Sequence, residues 1–130
     1  MASYYTEATG LAPDFRVSYR LFGAEEGGRK TPHYQGIRWD FAYEDKSIAR
    51  PNQIFMIWPE FIKATGEVLP EGESMPKQGL ANMFIVNPAF REFHGQHIRL
   101  GVQGYFREGG TEIALCEVVE VLALHENPKV

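Results

Sequence analysis

From Phe15 to Phe22 apolar and polar residues take turns, with Phe15, Val17, Tyr19 and Leu21 set against Arg16, Ser18 and Arg20. A period of two fits a strand with one buried face; a helix repeats its faces every 3.6 residues. Ile37, Trp39, Phe41 and Tyr43 repeat the pattern against Arg38, Asp40, Ala42 and Glu44, with Trp39 and Phe41 expected to point inwards and Asp40 outwards. A shorter apolar strand, Gln53 to Trp58, stops at Pro59, and another, Asn82 to Val86, closes at Asn87-Pro88. Ile98, Leu100 and Val102 open a strand that continues to Arg107, and Glu108-Gly109-Gly110-Thr111 reads as a hairpin turn. The last strand, Glu112 to Leu124, is apolar at both parities: Ile113, Leu115, Val119 and Val121 against Ala114, Cys116, Val118 and Leu122. A bulge, a barrel corner or two-sided burial would each produce that change.

Six strands at short spacing without a convincing helix predict an antiparallel barrel or sandwich. Glu60 to Gly79 reads as a long connection, with a single helical turn around Phe61-Ile62-Lys63. At 130 residues the chain is one domain, and 13 Gly, 8 Pro and 13% aromatic residues suit strands joined by many turns. A hydrophobic content of 44% excludes wholesale disorder.

The net charge of −4 removes the long-range attraction to phosphate that most nucleic-acid binders show. One cysteine, Cys116, cannot form an internal disulfide, so nothing asks for an oxidising compartment. Met1 to Gly10 has neither a basic cluster nor an apolar run, so no secretory leader is expected there. The longest apolar run, Ile54 to Trp58, is far too short to span a bilayer. A soluble, cytoplasmic protein without membrane contact is the expectation.

The chemistry-bearing residues are sparse. His94 and His97, three apart, begin a zinc site, but structural zinc takes four ligands and catalytic zinc three, so a chance loop pair is favoured and no metal is expected. Cys116 lies among Leu115 and Val118 and reads as a small core residue rather than a nucleophile. Neither Gly27-Gly28 nor Gly109-Gly110 has the G-x-x-x-x-G-K frame that cradles phosphate before a helix. No cofactor and no catalytic activity are expected. What remains is a basic and aromatic loop, Arg29, Lys30, Thr31, Pro32, His33 and Tyr34, followed by Arg38, suited either to solvent or to a phosphate backbone or an acidic protein face.

At this loop the chain resembles the C-terminal (third) domain of bacterial elongation factor Tu. The matching stretch is Glu25-Glu26-Gly27-Gly28-Arg29-Lys30-Thr31-Pro32, then Tyr34, Gly36, Arg38 and Phe41. Leu69-Pro70-Glu71-Gly72, Met75-Pro76 and Asn87-Pro88 follow in the same order, and Arg107-Glu108-Gly109-Gly110-Thr111 precedes Val118-Val119 and Val121-Leu122. The resemblance covers residues 15 to 124. It implies a six-stranded antiparallel closed β-barrel over residues 14–124, with 1–13 an N-terminal extension, 46–65 an insertion and 125–130 a C-terminal tail. It also implies a non-catalytic binding module, whose leading partner is a protein, translation-related by analogy, and whose alternative partner is a tRNA stem. Partner contacts would fall on Gly28, Arg29, Lys30 and Thr31, on Tyr34 and Arg38, and on Glu108, Gly109 and Gly110. No counterpart of the family's GTP-binding domain is present in these residues, so GTP is not an expected ligand.

Overall fold

The computed structural model describes residues 10–23, 33–50 and 53–127. Six strands build one antiparallel sheet: β1 (Phe15–Leu21), β2 (Asp40–Tyr43), β3 (Ile57–Ile62), β4 (Gln78–Ile85), β5 (Gln103–Glu108) and β6 (Thr111–Val121), in the order β2-β5-β6-β1-β4-β3. Among the described residues there is one short α-helix, α1 (Arg91–His97), which follows a tight turn at Pro88–Phe90. Among the described residues no helix is long and apolar enough to cross a membrane.

The alternation of β1 folds as the sequence requires: Phe15, Val17 and Tyr19 enter the core, with Arg16 and Arg20 on the other face. Trp39 and Phe41 are buried likewise, while Asp40 keeps partial access to solvent. Two bulges explain the mixed parity of β6. Arg16 and Val17 face Glu120 and Val118, which leaves Val119 as an extra residue; Phe106 and Arg107 face Ala114 and Glu112, which leaves Ile113 extra. Each bulge sharpens the local twist and so curls the sheet around its aromatic core. The Glu108–Thr111 hairpin forms as expected, and Gly109 takes φ +58°, the left-handed turn conformation that glycine adopts without steric cost.

The sheet curls but does not close, contrary to the expected closed barrel. Among the described residues its end strands, β2 and β3, form no ladder; one bridge lies at the seam, where Phe41 of β2 and Phe55, just ahead of β3, exchange both backbone hydrogen bonds, at 2.9 and 2.8 Å. Side chains, a proline and the returning backbone of Glu67 to Leu69, with Leu69 N donating to Phe61 O at 2.9 Å, occupy the rest of the β3 edge. The Gln35 carboxamide imitates a strand, accepting from Phe61 N (2.9 Å) and donating to Phe61 O (2.7 Å) and Leu69 O (2.8 Å). Pro59, on the same side of β3 as Phe61, has no N–H to leave bare, which is why a proline is tolerated inside an edge strand. The unpaired strand edge, a template for pairing with other chains, is thereby blunted.

Other boundaries move too. β3 starts at Ile57, inside the expected Gln53–Trp58 strand, and runs on through Pro59, so Phe61-Ile62 is strand and not a helical turn. The second strand begins at Asp40 rather than Ile37. Ile98 caps α1 through its N–H to His94 O, so the strand expected from Ile98 starts only at Gln103 and leaves Leu100 exposed.

Gly104 shows how tightly β2 and β5 pack. A Cβ there would stand 2.4 Å from the Phe41 ring and 2.7 Å from Ala42 O. Overpacking a well-filled core costs about 1–3 kcal/mol. Gly104→Ala is expected to lose that much in urea melts, and Gly110→Ala, where a Cβ meets nothing within 4 Å, serves as the control.

Candidate functional site

The basic loop that carries Gly28, Arg29, Lys30 and Thr31 lies outside the described residues. Of the remaining expected contacts, Tyr34 and Arg38 lie in the segment before β2, and Glu108, Gly109 and Gly110 in the β5–β6 hairpin. Tyr34 pairs with Ser74, Gln35 N donates to Glu73 O (3.1 Å) and Met75 N to His33 O (3.0 Å), so the segment before β2 is pinned along residues 73–75. His33 stands edge-on to Trp39 at 4.7 Å between ring centroids. Trp39, itself 1% exposed, sends its indole N–H to Glu108 Oε2 at 3.2 Å. Asp40 pairs with Arg107 at the end of the β2–β5 ladder. Trp39 thus links the segment before β2 to the Glu108–Thr111 hairpin.

Arg38 is held from below. Its guanidinium lies over the Trp58 ring, 4.8 Å from the centroid, while the Trp58 side chain is hydrogen-bonded to Asp40. Partial burial raises the pKa of Asp40, and that hydrogen bond opposes the rise. The trio ties the free end of β2 to β3 across the seam. An exposed cation–π contact stabilises by about 0.5–1 kcal/mol, so Arg38→Ala is expected to lower stability by no more than that in denaturant melts. The charges nearby are mixed: Glu73 carries the carbonyl that holds Gln35, and Glu108 carries the carboxylate that holds Trp39.

The opposite end of β2 holds a site the sequence did not announce. His94 and His97, expected as a loop pair, are both on α1 and turn to different partners: His94 Nδ1 meets Tyr43 Oη at 2.7 Å, and His97 Nδ1 meets Phe93 O at 2.9 Å. Among the described residues no group of three His, Cys, Asp or Glu side chains could hold a metal ion. His94 is 1% exposed and packs edge-on to Phe55 at 4.7 Å. Burial above all, then the positive charges of His97 and Arg91, lower its pKa to about 4, so the ring is neutral at pH 7. A cavity of about 140 Å³ opens beside it, walled by Phe55 and Ile85. Cys116 is fully buried and burial pushes its thiol pKa up, the state of an inert core cysteine.

α1 is positioned from beneath by a second buried constellation. Arg91 reaches both oxygens of Asp14, at 2.7 and 3.2 Å, and donates to Ile85 O (3.2 Å). Asp14 also accepts from Ile85 N (2.8 Å) and from the Asn127 carboxamide (2.8 Å). The chain on either side of the sheet is therefore gathered onto one carboxylate, and that contact fixes where His94 stands.

The fold is thus a curled six-stranded antiparallel sheet with one short helix across an end. No family model matches the chain, and no curated protein matches it.

Proposed function

We propose that the chain is a binding module that engages a protein partner through the sheet end formed by Tyr34, Arg38 and the Glu108–Thr111 turn. The observation that carries this reading is Arg38 resting on Trp58, four residues along the chain from Tyr34, a large aromatic residue left 48% exposed. Arg and Tyr dominate interface hot spots, and an arginine held in place loses less freedom on binding than a free one. The resemblance to the third domain of elongation factor Tu supports the same reading, because that domain binds partners and performs no chemistry. A translation-related partner is the proposal that follows from it.

The tRNA-stem alternative needs phosphate contacts, and this face is electrostatically mixed: Glu73 and Glu108 share it with Arg38, and the whole chain carries net charge −4. The expected result of a gel-shift series with deacylated and aminoacylated tRNA at physiological salt is no saturable complex. Sub-micromolar binding with a log–log salt slope of roughly −2 to −3, the signature of two or three neutralised phosphates, would favour the RNA reading instead.

A further inference from the structure

We propose that the cavity beside His94 is a binding site for a small, neutral, single-ring aromatic ligand that carries a hydroxyl group. Its volume of about 140 Å³ is close to the roughly 150 Å³ at which an apolar protein cavity takes up benzene. Ile54, Met56 and Phe90 line it while remaining 38–46% exposed, an open apolar rim of a kind a stable surface rarely keeps without use. Phe55 and Phe90 meet edge-on at 5.5 Å, and a ring between such walls gains face and edge contacts while the Met56 thioether adds a sulfur–aromatic one.

The lining contains no charged group at pH 7 but does contain hydrogen-bonding ones. His94 lines the cavity with a side chain that is almost wholly buried; its Nδ1 is taken by Tyr43 Oη, and within the described residues Nε2 makes no hydrogen bond. Asn87 also lines the cavity; its carboxamide oxygen is committed to Ala89 N at 3.0 Å. A hydroxyl both donates and accepts, so it satisfies Nε2 in either tautomer, whereas a carboxylate would be buried without a counter-charge.

The mouth favours a free ligand over a peptide side chain. Phe41 and Phe55 pair both of their backbone groups with each other, Ile57 N donates to Phe55 O, and Val86 N donates to Met56 O. At the rim the Phe55 backbone and the Met56 carbonyl are thus already engaged within the chain.

The test is a titration of the whole chain, its methionine methyls labelled with carbon-13, with phenol, toluene, benzoate and N-acetyltyrosinamide as probes. The Met56 methyl should shift saturably with phenol, with a Kd on the order of 1 mM, as a few buried ligand atoms allow. Toluene should bind about tenfold more weakly for want of one hydrogen bond. Ile54→Lys, at an exposed rim position that leaves the core intact, should weaken phenol by at least about tenfold, since burying its ammonium or displacing it both cost free energy. An unmoved Met56 methyl, benzoate binding as well as phenol, or an unaffected Ile54→Lys variant would overturn the proposal. N-acetyltyrosinamide binding more tightly than phenol would assign the cavity to a partner's side chain and overturn it as well.

Discussion

Arg91→Leu is expected to destabilise the protein by about 3–5 kcal/mol, the cost of stranding one member of a buried ion pair. Asp14 is 0% exposed and takes two guanidinium bonds, so without Arg91 its carboxylate keeps only Ile85 N–H and the Asn127 amide. That is too few donors to replace the hydration the group gave up. The loss has a distinctive companion. Asp14→Asn in the Arg91→Leu background removes the stranded charge but keeps an oxygen for Ile85 N–H, so the double variant should recover part of the stability. Urea melts of the two single variants and the double variant form a cycle, and its coupling should be non-additive, as for groups in one network. An Arg91→Leu loss below about 1 kcal/mol would show that the pair is dispensable and that α1 is held by its apolar face alone.

The second large effect depends on pH. His94 titrates at about 4 in the folded protein and near 6.5 when unfolded. A folded pKa below the unfolded one means the unfolded chain binds the proton first as pH falls. The stability from keeping this ring neutral is therefore full above about pH 6.5 and is lost between there and pH 4. At about 1.4 kcal/mol per unit the loss approaches roughly 3 kcal/mol. Carboxylates also titrate towards the acid end, so the useful quantity is a difference between two proteins. His94→Asn keeps an amide near Tyr43 Oη and cannot titrate, and its stability curve should be flatter than that of the wild type over this window. Parallel curves would mean that His94 is protonated as readily folded as unfolded.

The parts of the fold legible in the sequence are those set by side-chain alternation over a half-buried sheet. β1, the Glu108–Thr111 hairpin and the parity change of β6 all follow from which face meets the core. The parts that were hidden depend on tertiary contacts. α1 is seven residues long and contains Gly95, too short for periodicity to show; it exists because Asp14 holds Arg91 and Tyr43 holds His94. Pro59 looked like a stop because proline ends most strands, yet on an edge its missing N–H costs nothing. The incomplete closure was hidden for the same reason, since a glutamine side chain, Gln35, stands where a strand would be.

The site divides in the same way. Tyr34 and Arg38 were visible as residue types suited to binding, but Trp58 beneath Arg38 comes from a strand twenty residues on, across the seam. The cavity was invisible because Phe55, Ile85 and His94 come from three separate segments. The F-x-x-F-H spacing of Phe90, Phe93 and His94 was the one local hint, since residues three and four apart share a helix face.

The most direct measurement of the binding role is affinity capture from the native host with wild-type chain and with the Tyr34→Ala, Arg38→Ala double variant, read by quantitative mass spectrometry alongside RNA recovery. The double change removes the two exposed anchors at a small expected cost in stability, so both baits are folded. The predicted result is a defined protein retained by the wild type and depleted at least about tenfold with the double variant, as the loss of a hot-spot residue implies, with no enrichment of tRNA. Equal capture by both baits, or recovery of tRNA in place of a protein, would contradict the assignment of this sheet end as a protein-binding face.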